Sequence, residues 1–426
     1  MKKFNKDKYL KQLKFKRAWR KYERCFYIGV PCLMIVILGI YFTYSKFSSS
    51  KEEEVVRTTV GEFIHGDVVI GAYIDGEYSK TIPGKNDGYV VKNVVCDNGA
   101  VGEWDNDKWG LLTTNITKRS KCNVYFKKYT NAEFIALTAS NDSANFASDD
   151  PDSNIRYIGA NPNNYVYFNC NDYSNQSDST CEKWRIIGVF NNITKSDGTK
   201  ENLVKIIKDE SIGNIAWDSN NVNDWSTATL QQNLNSGTYY TTTLKNDATR
   251  NGIENVVWNL GGTDAYNTST ASMFYTAERG TTVYSGRPTT WTGKIGLMYP
   301  SDYGYATSGG STTNRSTCLS TVLYNWKNTD VSDCKDNNYL YKSSYVQWLL
   351  NTSGVNISNI FNIDIKGKVG TTAVFPNTHG NFNLNYEEML TPASTTVNVR
   401  PALYLKSDIS VKSGNGTSST PYQLNL

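Results

Sequence analysis

The chain has 426 residues, with 44 Lys or Arg, 40 Asp or Glu and a formal net charge of +4. The charge is uneven, because residues 1–24 contain eleven basic and two acidic residues, which leaves 33 basic against 38 acidic residues elsewhere. The rest of the chain is net acidic, so the overall positive charge does not indicate a nucleic-acid partner. Anionic lipid next to a membrane explains the basic segment better than RNA binding does.

An apolar segment follows this basic tail. Residues 26–44 contain nineteen positions without a charge, and as a helix they would be about 28 Å long, close to the hydrocarbon thickness of a bilayer. The positive-inside rule then places the N-terminus in the cytoplasm. We predict a single-pass type II protein of the cell membrane, held by residues 26–44, with its C-terminal domain extracellular. A signal peptide cleaved near residues 48–50 is the alternative.

The rest of the chain divides by composition into three parts. Short apolar runs, many turn-forming residues and 29 Tyr favour short strands and long loops over helices. The predicted organisation is a cytoplasmic basic tail over 1–24, a transmembrane anchor over 25–45, a stalk over 46–59, a small β module over 60–129 and a large domain over 130–426.

The small module shows alternating apolar runs that are separated by hairpin-turn dipeptides. These dipeptides are Asp75-Gly76, Asp87-Gly88 and Asn98-Gly99. Asp105 and Asp107 resemble the start of a calcium-binding loop. No glutamate closes such a loop, however, and an ordinary turn is the better interpretation.

The large domain is predicted to be α+β, with more strand than helix. A helix or strand is expected over 131–137, and helices are expected over 226–235, where Ser226 or Thr227 could cap the helix, and over 343–351. The sequence Ser196-Asp197-Gly198-Thr199 predicts a hairpin turn. Strands are predicted over 165–170, 183–190, 203–208, 293–300 and 397–405.

The eight cysteines fall into a membrane group and an exported group. Cys25 and Cys32 lie at or in the apolar segment, and the other six form the close pairs Cys96/Cys122, Cys170/Cys181 and Cys318/Cys334. Six cysteines allow fifteen connectivities, but an exported location makes disulfides expected and the clustering favours sequential pairing. A metal site is disfavoured, because there is no CxxC and the two histidines are far from any cysteine.

Long phrases of the large domain resemble a family of exported bacterial proteins of unknown function. Three of them are DSNIRYIGANPNNYVYFNC, ERGTTVYSGRPTTWTGKIGLMYPSDYGYATSGG and VNVRPALYLKSDISVKSGNGTSSTPYQL. A Trp-bearing central strand and a late VRPALYL are also similar to C-type-lectin-like domains, including the branch shared with formylglycine-generating enzymes. The resemblance implies a small all-β module followed by a β-rich C-type-lectin-like domain. The chain departs from the family at 348–352 and over the long segment 370–396.

Groups that could support catalysis are few. Acid–base enzymes often use histidine, yet the large domain contains only His379, and no GxSxG, HExxH or Walker loop is present. The acids Asp149, Asp150 and Asp152 are interpreted as solvated loop residues. The sugar-binding triplets of calcium lectins are also absent. We therefore expect no enzymatic activity, no cofactor and no bound metal.

Recognition is predicted for two polar stretches of the large domain. The loop 376–391 and the segment 351–356 carry amide groups, which suit sugar or protein contacts. The predicted ligand-binding residues are Asn351, Asn356, Asn377, His379, Asn381, Asn383 and Asn385. The expected function is a cell-surface binding or adhesion protein with a calcium-independent, lectin-like head for an extracellular protein or glycan. The alternatives are a structural envelope component without a discrete ligand and, with less support, an exported enzyme.

Other side chains are assigned to the core or left open. Trp184 and Trp348 are predicted to be buried, and Arg400 is predicted to form a buried ion pair or a backbone contact. Arg279 and Arg287 could serve either packing or recognition.

Overall fold

The computed structural model describes residues 68–426 apart from 86, 107, 281–286, 355 and 375–387, together with 7, 10–17 and 19. It divides into two compact units. The first unit comprises residues 1–82 and 91–125, and the second comprises residues 83–90 and 126–426.

The predicted membrane location is corrected by the structure. Within the described ranges, no helix is long and apolar enough to cross a membrane. Asn131–Ser140, the longest helix described at both ends, has ten residues, which is about 15 Å and roughly half of a bilayer's hydrocarbon thickness. The span predicted for residues 26–44 lies outside the described residues, as do Cys25 and Cys32.

The first unit is built from a four-stranded sheet, in the order β2-β1-β6-β3, and the hairpin β4-β5. The predicted turn at Asp75-Gly76 connects β1 to β2, and both residues have the positive φ that this kind of hairpin turn requires. The disulfide Cys96–Cys122 ties the end of β3 to β6. The strands are β1 Val68–Ile74, β2 Glu77–Ser79, β3 Tyr89–Cys96, β4 Val101–Asp105, β5 Gly110–Thr114 and β6 Ser120–Lys128.

The second unit is α+β, as predicted, and contains several sheets. Its strands are β7 Phe146–Ala147, β8 Ile155–Tyr157, β9 Tyr165–Phe168, β10 Glu182–Thr194, β11 Lys200–Lys208, β12 Asn214–Ala216, β13 Val256–Asn259, β14 Thr290–Gly293, β15 Ile295–Gly296, β16 Gln347–Thr352, β17 Ile360–Ile363, β18 Val369–Gly370, β19 Thr372–Val374, β20 Glu388–Leu390, β21 Thr396–Asn398, β22 Ala402–Tyr404, β23 Ser410–Ser413 and β24 Gln423–Asn425.

The helices of the second unit are short. The α-helices are α1 Asn131–Ser140, α2 Thr229–Asn235, α3 Asp247–Asn251, α4 Ala271–Glu278, α5 Pro300–Tyr305, α6 Arg315–Ser320 and α7 Asp333–Asp336. A π-helical turn covers Tyr239–Thr243, and 3₁₀ turns cover Tyr266–Thr268, Leu323–Lys327 and Thr329–Val331. The helix α1 starts with a reciprocal cap, since Thr130 Oγ1 accepts from the Glu133 N–H and the Glu133 carboxylate accepts from the Thr130 N–H.

The hairpin β10-β11 forms the centre of the second unit. It belongs to a sheet in the order β15-β22-β11-β10-β8-β7, with β9 also paired to β10. The predicted turn at 196–199 connects the two strands, and Gly198 has the positive φ that the turn needs. Residues 184–190 and 203–207 are continuously buried, because both faces of the hairpin are covered. A second sheet has the order β12-β21-β16-β17-β18.

One predicted helix is a strand in the structure. Residues 343–351 were expected to be helical, but Gln347–Thr352 forms β16, and all six of its residues are buried. A short apolar run that is buried on both faces carries no period that separates strand from helix. Trp348 is 1% exposed, as predicted, and its Nε1 donates to the carbonyl of Ile215.

The helix predicted over 226–235 begins later than expected. It covers Thr229–Asn235, and its N-cap Ala228 has no side-chain oxygen to offer. The Asp218 carboxylate accepts from the Thr229 N–H instead. Ser226 is turned back on Asp224 and does not cap the helix.

The three disulfides confirm the sequential pairing. Cys170–Cys181 and Cys318–Cys334 lie in the second unit, and Cys96–Cys122 is the third. Disulfides persist in oxidising compartments, so all three favour an extracellular protein.

Candidate functional site

A cluster of buried charges lies where β8, β11 and the start of α5 meet. Arg156 Nε contacts Asp150 Oδ2 at 2.5 Å, and Arg156 Nη1 contacts Asp302 Oδ1 at 2.9 Å. Lys205 Nζ lies 2.5 Å from Asp302 Oδ2. Asp302 is held in place by its position in the first turn of α5, where its carboxylate also accepts from the Tyr299 N–H. We name Asp150, Arg156, Lys205, Glu278 and Asp302 the buried charge cluster.

The interpretation of Asp150 as a solvated loop acid is wrong. Asp150 is 5% exposed, because its carboxylate is enclosed by Arg156 and by the backbone and side-chain N–H groups of Asn154. A loop can hold a buried carboxylate when each oxygen is paired in this way.

Lys205 is enclosed by aromatic rings as well as by Asp302. Its Nζ lies 4.1 Å from the centroid of the Tyr299 ring and 5.2–5.5 Å from the ring centroids of Trp258, Phe190 and Tyr404. Burial lowers the pKa of Lys205 to about 8, against the opposing effect of Asp302. The pKa of Asp302 is lowered overall, because Lys205 and Arg156 outweigh the rise that its burial causes.

Glu278 ends α4 and completes the cluster. It is 1% exposed, and its carboxylate accepts from the backbone N–H and the Oγ of Ser301 at 2.9 and 2.5 Å. Burial raises the pKa of Glu278 to about 7, although Arg279 and the Ser301 hydrogen bonds favour the charged form. The cluster therefore contains an acid that changes charge near neutral pH.

A polar cleft opens beside this cluster, within the second unit. Its volume is about 210 Å³, which is below the roughly 300–1,000 Å³ of pockets for drug-sized ligands and suits one small ring or side chain. We define the polar cleft by Asp152, Asn191, Asn259, Tyr275 and Arg279. Phe190, Tyr299 and Tyr404 line both the cleft and the cluster.

Opposite charges face each other in the cleft. Arg279 follows the last residue of α4, and its guanidinium stacks on the Tyr275 ring at 3.3 Å from the centroid. Arg279 Nε lies 3.9 Å from Asp152 Oδ2, and the Tyr275 hydroxyl donates to that same oxygen at 2.6 Å. The Asp152 side chain remains 57% exposed, against 22% for Arg279. A ligand can thus reach an acceptor on the loop that carries Asp152 and a donor at the end of α4.

A β-bulge supplies the amide side of the cleft. The register of β10 against β11 shifts between Phe190 and Ile193, and bulges of this kind re-aim side chains. The Asn191 N–H donates to Asn154 Oδ1 at 2.7 Å, and the Asn191 amide donates to the carbonyls of residues 152 and 153. Asn191 therefore fixes the loop that carries Asp152.

Two of the residues predicted to bind ligand, Asn351 and Asn356, are described by the structure, and neither lines the polar cleft. Asn351 is 1% exposed, and its Nδ2 donates to the carbonyl of Gly261 at 2.5 Å. Asn356 is exposed, and its Oδ1 accepts from the Ser358 N–H. Asn377, His379, Asn381, Asn383 and Asn385 lie outside the described residues. A ligand-binding role for all seven stays a prediction.

The structure shows the contacts of Arg279, Arg287 and Arg400. Arg400 is 2% exposed and donates to the carbonyls of Lys208 and Leu340, which confirms the predicted backbone contact. Arg287 donates to Asn223. Arg279 lines the polar cleft.

Two charged residues within apolar runs indicate the buried charge cluster in the sequence. Lys205 stands inside the apolar run LVKII, and Arg156 stands inside IRYI. A charge at the centre of a fully apolar strand has no solvent-facing position, so it requires a buried partner. The sequence does not indicate which acid is the partner of Lys205, because Asp302 is 97 residues away in the chain.

No family model, curated protein or solved structure matches this chain. In the described part of the chain, no group of three or more His, Cys, Asp or Glu is arranged to hold a metal ion.

Proposed function

We propose that the chain is an exported binding protein that recognises an extracellular glycan in the polar cleft, without calcium. The observation that carries the proposal is the exposed carboxylate of Asp152 beside the guanidinium of Arg279. The guanidinium is itself stacked on the Tyr275 ring. Sugar hydroxyls both donate and accept hydrogen bonds, so a carboxylate and a guanidinium side by side can bind one hydroxyl pair. The rings and amides around them add the apolar and polar contacts that small-ligand sites combine.

The proposal that the protein is exported is supported by the three disulfides. A fold of the C-type-lectin-like class and membership of the exported bacterial family are part of the same proposal. They are supported by the placement of Trp184 on β10 and of the VRPALYL strand β22 in one sheet, with β11 between them.

A glycan array with the full oxidised chain tests the proposal. We expect binding by the wild-type chain and a loss of about 10- to 100-fold for Arg279→Gln, because a hydrogen bond to a charged group contributes about 1.5–3 kcal/mol. Arg250→Gln is the matched control. Arg250 has nearly the same side-chain exposure, 21%, pairs with Asp247 at 2.8 Å and lies outside the cleft.

Binding by Arg250→Gln should equal that of the wild type, and the melting temperatures of both variants should show that they fold. Equal glycan affinity of Arg279→Gln and wild type would overturn the proposed cleft. If replacing residues 377–385 by Gly and Ser abolished binding instead, the ligand site would be the loop predicted from the sequence. No binding to any glycan by the wild-type chain would overturn the glycan proposal as a whole.

A further inference from the structure

We infer that Lys205 and Asp302 condense to an intramolecular isopeptide bond, which joins the centre of β11 covalently to the first turn of α5. The inference is independent of the glycan proposal, because it concerns the interior of the unit and not a ligand.

The geometry places the two reacting groups together. Lys205 Nζ lies 2.5 Å from Asp302 Oδ2, and both side chains are 0% exposed. Because Cγ is bonded to Oδ2, the amine lies within reach of the carbon that it would attack. Fixing two reactants in contact replaces a collision in solution by an intramolecular step, with effective concentrations of about 10⁵–10⁸ M in well-oriented cases.

The surroundings favour an amide over an ion pair. A buried ion pair has to overcome the loss of hydration of both charges, whereas an amide is neutral. Condensation would remove one positive charge and one negative charge from the cluster. Arg156 would keep Asp150 as its ionic partner at 2.5 Å, and the new carbonyl oxygen would still accept from Arg156 Nη1. Charge balance in the core is therefore preserved by the reaction.

Water is kept away from the reacting atoms by four aromatic rings. Tyr299, Trp258, Phe190 and Tyr404 surround Lys205 Nζ at 4.1–5.5 Å. Condensation releases a water molecule, and hydrolysis requires one to return. Because both side chains are 0% exposed, the enclosure favours formation of the amide and protects it afterwards.

The reaction balances without a co-reactant. The ammonium group and the carboxylate form one amide and one water. The Nζ–Cγ bond forms, the Cγ–Oδ2 bond breaks, and Oδ2 leaves as water with two of the three ammonium protons. Arg156 Nη1 contacts Oδ1 at 2.9 Å, where negative charge develops during attack, and can stabilise it there.

Glu278 is placed to carry protons during this exchange. Its carboxylate is buried and accepts from the backbone N–H and the Oγ of Ser301, the neighbour of Asp302, and its charge favours the protonated form of Lys205.

A second buried pair of the same residue types serves as an internal comparison. Lys368 Nζ lies 3.8 Å from Asp364 Oδ2, and it donates to the Thr372 hydroxyl at 2.8 Å. This amine is farther from its carboxylate, so we expect no amide between Lys368 and Asp364.

The test is the mass of the wild-type full chain, purified from oxidising expression and then reduced. We expect it to be lighter than the reduced sequence by one water molecule. After trypsin, cleavage behind Lys205 should fail, and the peptide 201–208 should be found joined to the peptide 295–315. The inference would be overturned by a mass equal to that of the reduced sequence. It would also be overturned by a mass lower by one water molecule without the joined peptide.

Variants test which side chains form the amide. Lys205→Met should restore the full mass, whereas Lys195→Met is the control, because Lys195 forms the more exposed pair with Glu201 at 2.7 Å and should leave the joined peptide unchanged. Asp302→Asn should still join, with loss of ammonia in place of water. Glu278→Gln should fold and keep the full mass over hours. Rapid joining in Glu278→Gln would overturn its role as proton carrier.

Discussion

Replacing Arg156 with methionine should destabilise the second unit strongly. Methionine keeps an apolar side chain in place but removes the guanidinium, which leaves the carboxylate of Asp150 buried without its cation and removes the contact of Arg156 Nη1 with Asp302 Oδ1. Removing one partner of a buried ion pair costs about 3–5 kcal/mol. The contact of Arg156 with the Phe190 ring, 4.6 Å from its centroid, places the expected loss in the upper part of that range.

Urea unfolding of the oxidised chain measures this loss as a lower midpoint at an unchanged slope. Arg250→Met is the matched control, because its pair with Asp247 is also short, at 2.8 Å, while the Asp247 side chain is 88% exposed. Exposed pairs contribute about 0–1 kcal/mol. In the Arg156→Met background, Asp150→Asn should recover part of the stability, since an amide is less costly to bury than an unpaired carboxylate. Equal losses in Arg156→Met and Arg250→Met would refute the reasoning.

Three further predictions concern packing, pH and the disulfides. Trp348→Ala should cost about 3–5 kcal/mol in urea unfolding, because the ring is 1% exposed; a loss below about 1 kcal/mol would contradict its burial. Burial raises the pKa of Glu278 to about 7 from 4.5, so the folded state binds the extra proton, and stability should fall as pH rises from about 4.5 to 7. Glu278→Gln should flatten that slope in unfolding measured across this range, and an unchanged slope would exclude Glu278 as its source. Cys318→Ser with Cys334→Ser opens a disulfide with a sequence separation of 16 and should lower stability by about 3 kcal/mol, whereas an unchanged melting temperature would contradict this.

Local features of the fold could be predicted from the sequence. The turn at Asp75-Gly76 and the turn at 196–199 occur where their residues indicate, because turn chemistry is decided by a few adjacent residues. The disulfides also follow, since each joins cysteines at most 26 residues apart. These features depend on short stretches of chain, so the sequence carries most of the information they need.

Features that depend on distant residues could not be predicted. The run around Trp348 is buried on both faces by other strands, so its periodicity did not separate a strand from a helix. The burial of Asp150 depends on Arg156 and on the fold around it. The polar cleft combines Asp152 with Arg279, which is more than 100 residues away in the chain. Tertiary packing assembles both the buried charge cluster and the polar cleft. The local sequence around each residue does not indicate which distant residues will pack against it.

Hydrogen–deuterium exchange of the full chain, with and without the best glycan of the array, tests recognition in the polar cleft most directly. We expect slower exchange at residues 152–154, at the bulge over 191–193 and at the end of α4 around Arg279, because these backbones carry the groups that would hold the sugar. Unchanged exchange at these three places, with protection confined to residues 376–391, would contradict the cleft as the binding site.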